Sequence, residues 1–284
     1  MNLLRYTLLG CALGLVGAAS AQINDFTLTA GGASYSETQL CGGYFRGDAG
    51  FGDFKTTVDG PSNMSQNFWW YRTDLMDREH ALGNMTVGNS SGSSAYLQYA
   101  ENSGLPGVLK SLKFELDYNL VDLGGGSAKV TIDWKVTNLA GVAQTVDFFN
   151  YTDFDLNGTY WNDHGTFNGS NQFDLIDENP LVQASLMAST AGLIGWEQVA
   201  FGNLRDRLVN ESVDSLTNTA AYIGPADWTG GFQYHFELGA SGSATDMFTG
   251  QLMKTVHNPV PEPGSMLALA TGLGLLRAKR RKKA

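Results

Sequence analysis

The feature that most constrains the fold is an alternation of apolar and polar residues with a period of two. In 129–136 every second residue is apolar, from Val130 to Val136, and the residues between them are charged or hydroxylated. The same period recurs in 113–120 and 232–238. Successive side chains of a strand point to opposite faces, so this pattern is typical of antiparallel strands with one face in a core and one in water.

One segment departs from this period. Apolar residues recur at helical spacing between Leu204 and Leu216, which predicts a short amphipathic helix over 203–217 that packs on a sheet. The glycine triplet 124–126 marks a turn between two strands. Residues 22–258 are numerous enough for one domain with its own core. The sequence therefore predicts an all-β domain, an antiparallel two-sheet β-sandwich with one short helix.

The chain begins with a segment that is typical of a removable signal peptide, 1–21. A short apolar run follows Arg5 and ends in a small-x-small site, so signal peptidase is expected to cut between Ala21 and Gln22. The run is too short to span a bilayer permanently. A retained anchor and a lipid on Cys11 are the alternatives, but most of the apolar run follows Cys11 instead of preceding it.

The chain ends in a second targeting segment, 259–284. Val260, Pro261, Glu262 and Pro263 come first, followed by a largely apolar stretch and a basic terminus. The two prolines exclude a helix or a sheet ladder at that point, so the motif stays extended and accessible. Basic residues are retained on the cytoplasmic side of a membrane, so the domain would be held outside.

These ordered features resemble the PEP-CTERM sorting tail, whose partner is an exosortase, a membrane-embedded cysteine protease and transpeptidase. The resemblance covers only the C-terminal tail. It implies association with exopolysaccharide-producing envelopes, and a location in the cell envelope, at the surface or in the extracellular matrix. The apolar stretch would measure roughly 20 Å as a helix against a hydrocarbon core of about 30 Å, which favours transient membrane insertion.

The predicted mature domain is strongly acidic. Residues 22–258 contain 27 acidic and 11 basic residues, so their surface repels nucleic acid and anionic lipid. Cys41 is the one cysteine between the two targeting segments, which excludes a disulfide within the domain. Nucleic acid is therefore not an expected partner.

A candidate metal site lies in the middle of the domain. Asp153, Asp155 and Asn157 precede Gly158 in the order that opens a calcium loop, and hard oxygen ligands at this spacing suit Ca²⁺. The twelfth position of such a loop is His164 instead of a bidentate glutamate. The sequence therefore predicts weak calcium binding at most and no other cofactor, and the alternative is a solvated strand end.

No motif of the domain demands catalysis. The sequence has no nucleophile elbow, phosphate loop or zinc-binding helix motif. The aromatic run 68–71 is either a sugar-stacking platform or part of the core. The first hypothesis is a non-enzymatic structural or binding domain that acts at the cell surface or in the extracellular matrix. The alternative is a secreted carbohydrate-binding protein or carbohydrate-active enzyme.

Overall fold

The structure is a computed structural model, and it describes residues 25–39, 50–82, 86–100, 112–178, 182–219, 221 and 223–259. The expected signal cleavage site, the sorting motif at 260–263 and Cys41 lie outside these residues. Within the described ranges, no helix is both long enough and apolar enough to cross a membrane.

The described part of the chain is built almost entirely from strands. In chain order these strands are β1 Phe26–Ala30, β2 Ala33–Gln39, β3 Gly50–Lys55, β4 Gln66–Thr73, β5 His80–Ala81, β6 Thr86–Ser91, β7 Ser94–Ala100, β8 Leu112–Gly124, β9 Ser127–Asn138, β10 Gln144–Phe154, β11 Asp163–Phe167, β12 Gln172–Asp177, β13 Gln183–Ala188, β14 Leu193–Ala200, β15 Ile223–Ala226, β16 Trp228–Leu238 and β17 Met247–His257. A 3₁₀ turn occupies Leu156–Gly158, and the α-helix α1 spans Asn203–Leu208.

The strands form two sheets in which every pair of neighbours is antiparallel. The first sheet has eight strands in the order β1-β2-β3-β4-β10-β16-β14, with β5 paired to β4. The second has nine strands in the order β15-β11-β12-β13-β17-β9-β8-β7-β6. The predicted antiparallel two-sheet β-sandwich with one short helix is confirmed.

The main core lies between the sheets and contains many aromatic rings. Along β9 the residues Val130, Ile132, Trp134 and Val136 are all buried, as their alternation predicts. Phe148 of β10 lies among rings from both sheets, and its ring centre is 5.2 Å from that of Trp134. Complete burial of one such side chain contributes about 1.5–3 kcal/mol, so these alternating residues are what hold the sheets together.

Two strands of the eight-stranded sheet, β4 and β10, are buried on both faces. Trp69 and Tyr71 point into the main core, whereas Trp70 lies on the outer face in a second, smaller core with Phe149 and Tyr151. Leucines of α1 and of the segment after it cover this outer core. The aromatic run 68–71 is therefore packing, and the hypothesis of a sugar-stacking platform there is wrong.

The helix predicted over 203–217 ends at Leu208. The side chain of Asn210 accepts a hydrogen bond from the Ser212 N–H at 2.6 Å and donates one to Asp214 at 2.7 Å. Such local bonds give the backbone an alternative to a helix. Leu216 still reaches the outer core, but it does so from a segment without regular secondary structure.

A polar network lies buried between the two sheets. Lys254 of β17 is completely buried, and its Nζ donates a hydrogen bond to Asn67 Oδ1 at 2.6 Å. Asn67 in turn donates to Glu37 at 2.6 Å, and Glu37 also accepts hydrogen bonds from Tyr118, at 3.1 Å, and from Tyr35. Burial lowers the pKa of Lys254 to about 7, although the charge of Glu37 opposes this shift.

Candidate functional site

A groove of about 480 Å³ crosses the outer face of the nine-stranded sheet. It is lined mostly by outward-facing residues of four neighbouring strands, β7, β8, β9 and β17, with Ser189 and the edge of the buried Trp134 ring. The register of these strands places Tyr96 opposite Asp117, Asp117 opposite Asp133, and Asp133 opposite Gln251. Antiparallel pairing therefore assembles a polar row across the sheet from residues that are far apart in sequence.

Glu115 is held in this groove as an ionised carboxylate. It forms ion pairs with Lys135 at 2.7 Å and Lys113 at 2.9 Å, and it accepts a hydrogen bond from the Tyr96 hydroxyl. Partial burial alone would raise the pKa of Glu115, but these three donors lower it to about 2. Glu115 is therefore a fixed hydrogen-bond acceptor at neutral pH.

Asp117 has the opposite electrostatic environment, although it lies only two residues further along the same face of β8. Loss of hydration raises the pKa of Asp117, and the charges of Asp133 and Glu115 raise it further. Asp133 is held by Gln251, whose Nε2 donates to it at 2.7 Å. In many active sites, two nearby carboxyl groups have pKa values that are shifted in opposite directions. The group with the raised pKa then acts as an acid, and the other stays ionised.

The residues of the predicted calcium loop are only partly brought together. Asp153 and Asp155 lie with Asp227, the residue between β15 and β16, and one carboxylate oxygen of each lies within 4.8 Å of the others. Asn157 is exposed and lies outside this group, and its backbone N–H donates to Asn63 Oδ1 at 3.0 Å. Asp153 is only 2% exposed, so the alternative of a solvated strand end does not describe it.

Burial and mutual repulsion both raise the pKa values in this acidic cluster. Burial raises the pKa of Asp155 and of Asp227 to about 6, and the charge of Asp227 adds to the effect on Asp155. Burial, with the neighbouring carboxylates, raises the pKa of Asp153 well above its usual range. The pKa of Asp163, at the start of β11, is raised to about 8 by burial and by the charges of Asp155, Asp177 and Asp227.

Two exposed aromatic rings lie at positions that the sequence pattern did not single out. Tyr160 and Trp161 are 56% and 59% exposed, and their rings meet edge to face at 4.5 Å. No local pattern distinguishes this pair from the buried run 68–71, because each is a short cluster of aromatic residues.

Comparison with known proteins supplies a fold and no family. No protein-family model matches the sequence, and no curated protein sequence matches it significantly. Among solved structures, a bacterial glucoamylase complexed with acarbose aligns with a TM-score of 0.51 at 12% identity, over 90% of this chain and 35% of that chain. The chain thus spans about a third of the length of that enzyme.

A GalM/aldose epimerase homologue from C. elegans aligns with a TM-score of 0.50 at 10% identity, over 84% of this chain and 100% of that chain. At these identities the likeness establishes the fold, a β-sandwich similar to ones found in proteins of carbohydrate metabolism. This finding contradicts the expectation of a non-enzymatic domain, which rested on the absence of local catalytic motifs.

Proposed function

We propose that the protein is an exported carbohydrate-active protein that binds a saccharide in the groove of the nine-stranded sheet. The observation that carries this proposal is the pair of carboxyl groups in the groove, Glu115 with a lowered pKa and Asp117 with a raised one. The similarity of the fold to the glucoamylase and the GalM homologue supports the choice of a sugar as ligand.

The groove suits a ligand rich in hydroxyl groups. Carboxylates of Glu115 and Asp133 accept hydrogen bonds, and Lys135 and Gln251 donate them. Each sugar hydroxyl both donates and accepts hydrogen bonds, so a groove lined by donors and acceptors can pair with it in both ways. Because three carboxyl groups line the groove, a neutral saccharide is preferred to an anionic one.

Asp117 is the general acid of the proposed reaction. Hydrolysis of a glycosidic bond and opening of an aldose ring both begin with proton transfer to an acetal or hemiacetal oxygen, and the raised pKa of Asp117 favours the protonated form that such a transfer needs. Asp133 lies directly across from Asp117 in the register, where side chains have Cβ atoms about 4.5–5.5 Å apart. Asp133 is thus placed to act as the second carboxylate, while Glu115 fixes the orientation of the sugar.

The proposed activity operates outside the cytoplasm. Signal peptidase releases the chain between Ala21 and Gln22, and an exosortase-like protease reads the motif that begins at Val260. The basic terminus retains the tail in the membrane until this cleavage. The expected destination is the cell envelope, the surface or the extracellular matrix, and an exopolysaccharide is the carbohydrate proposed as the ligand there.

The test compares the wild-type protein with Asp117→Asn in two assays. Affinity electrophoresis in gels that contain neutral glucans measures binding, and release of reducing ends from the same glucans measures reaction. We expect Asp117→Asn to keep binding within about threefold and to lose roughly 10²–10⁴-fold in rate, because only proton transfer is removed. Asp174→Asn, an exposed carboxylate outside the groove, is the matched control.

Two results would contradict the proposal. One is a wild-type protein that no neutral glucan retards. The other is an Asp117→Asn protein that reacts at the wild-type rate.

A further inference from the structure

We propose that Asp153, Asp155 and Asp227 form a calcium site at the corner where the chain passes between the two sheets. One carboxylate oxygen of each residue lies within 4.8 Å of the others, as oxygens that share one ion do. This site is separate from the groove, so the inference stands whether or not the groove binds a sugar.

Three different pieces of the fold meet at this corner. Asp153 lies near the end of β10 in the eight-stranded sheet, and Asp155 immediately precedes the 3₁₀ turn. Asp227 is the single residue between β15, which belongs to the nine-stranded sheet, and β16, which belongs to the eight-stranded sheet. A bound ion would therefore connect the two sheets at their crossover.

A second observation, separate from the grouping of the three carboxylates, also indicates a ligand: buried carboxylate oxygens without a hydrogen-bond partner among the described residues. Asp153 is 2% exposed, and within the described ranges its Oδ1 has no hydrogen-bond partner. Asp163 is fully buried next to this group, and its Oδ1 also lacks a partner among the described residues. Buried polar atoms are nearly always paired, and an unpaired buried carboxylate is costly, so these two oxygens are suited to bind an ion.

Acidic groups outnumber basic ones at this corner. Among the described residues, the positive group that acts electrostatically on Asp153 is Arg205, whose guanidinium also lies 4.0 Å from Asp206 Oδ1 and 5.1 Å from the Phe201 ring centre. Asp155, Asp227 and Asp163 each act on Asp153 with the opposite sign. A divalent cation bound here would offset the mutual repulsion of these acidic groups.

The donor atoms select the kind of ion. Carboxylate oxygens are hard ligands, and the cluster has no histidine or cysteine of the kind that zinc prefers. Calcium accepts six to eight oxygens in irregular geometry, whereas magnesium requires a near-ideal octahedron. The three ligands come from a strand end and two loop positions, which suits the more tolerant ion.

The experiment measures metal binding to the purified exported protein after treatment with a chelator. Calorimetry with CaCl₂ should give one ion per chain with a dissociation constant on the order of 10⁻⁴ M or tighter, as in extracellular calcium modules. At one hundred times that concentration, the melting temperature should rise by about 5–10 °C. MgCl₂ should bind at least tenfold more weakly.

A matched pair of variants assigns the site. Asp227→Asn should weaken calcium binding at least tenfold, while Asp174→Asn, an exposed carboxylate on the nine-stranded sheet, should leave it unchanged. Terbium luminescence excited through Trp228, next to Asp227 in the chain, supplies a second readout that needs no variant. A folded wild-type protein that shows no calcium heat and no terbium signal would refute the site. Wild-type affinity in Asp227→Asn, or equal affinity for magnesium, would also refute it.

Discussion

Replacement of Lys254 by methionine should change how the stability of the protein depends on pH. Lys254 is completely buried between the sheets, and burial lowers its pKa from 10.5 to about 7. Between these two pH values the unfolded chain binds one proton more than the folded protein does. The free energy of unfolding therefore rises with pH in this window, by about 1.4 kcal/mol per pH unit.

The other members of the network do not produce this slope. Burial raises the pKa of Glu37, so its stabilising contribution is present below the unfolded value and is lost as the pH rises through the folded value. Burial also raises the pKa values of Tyr35 and Tyr118, and these hydroxyls lose protons in the unfolded chain only near pH 10. From pH 8 to pH 9.5 Lys254 contributes a rise of about 2 kcal/mol to the free energy of unfolding, and the difference between the wild-type and Lys254→Met slopes isolates this contribution.

The assay is urea unfolding of the wild-type and Lys254→Met proteins at several pH values between 8 and 9.5. The wild-type free energy of unfolding should rise across this range. In Lys254→Met this rise should be smaller by about 2 kcal/mol. At pH 7 the single variant should lose about 3–5 kcal/mol, because Glu37 is left buried without its cation. The double variant with Glu37→Gln should recover most of this loss.

Equal slopes in the wild-type and Lys254→Met proteins would refute the reasoning. That result would mean that Lys254 keeps an ordinary pKa in the folded protein, and the buried network would then hold a stable ammonium group.

Two further predictions concern packing and export. Gly250→Ala should destabilise the protein by about 1–3 kcal/mol in urea unfolding, because a Cβ at Gly250 would overlap the Trp134 ring, whereas Gly141→Ala, with open space around it, should change little. N-terminal sequencing of the exported protein should begin at Gln22, and deletion of 259–284 should leave the melting temperature unchanged while it moves the protein out of the envelope. A start at another residue, or a large loss of stability in the truncated protein, would contradict the assigned targeting segments.

The sheet and much of the groove follow from local patterns. The alternation in 113–120 and 129–136, with the glycine turn between them, predicts a hairpin, and β8 and β9 do pair in this way. The register of this hairpin places Asp117 opposite Asp133. This pair of the groove therefore follows from a local pattern, whereas Gln251 lies on β17, which is distant in the sequence.

Other features depend on contacts between distant residues, and no local pattern encodes them. Asp227 joins Asp153 because β10 and β16 pair, although the two residues are far apart in sequence. The helix α1 ends early because the Asn210 side chain forms local hydrogen bonds that compete with those of a helix. The helical spacing does place Leu204 and Leu208 correctly in the outer core.

The covered outer face of the eight-stranded sheet constrains how such a sequence can diverge. Trp70, Phe149 and Tyr151 are kept from solvent on that face in part by Leu204, Leu208 and Leu216, which belong to the cover formed by 202–219. Arg72 fixes this cover by donating to the backbone carbonyl of Asp214. Shortening the cover would expose these three aromatic rings to solvent, which favours their exchange for polar residues. The cover and these rings should therefore be inherited together or lost together.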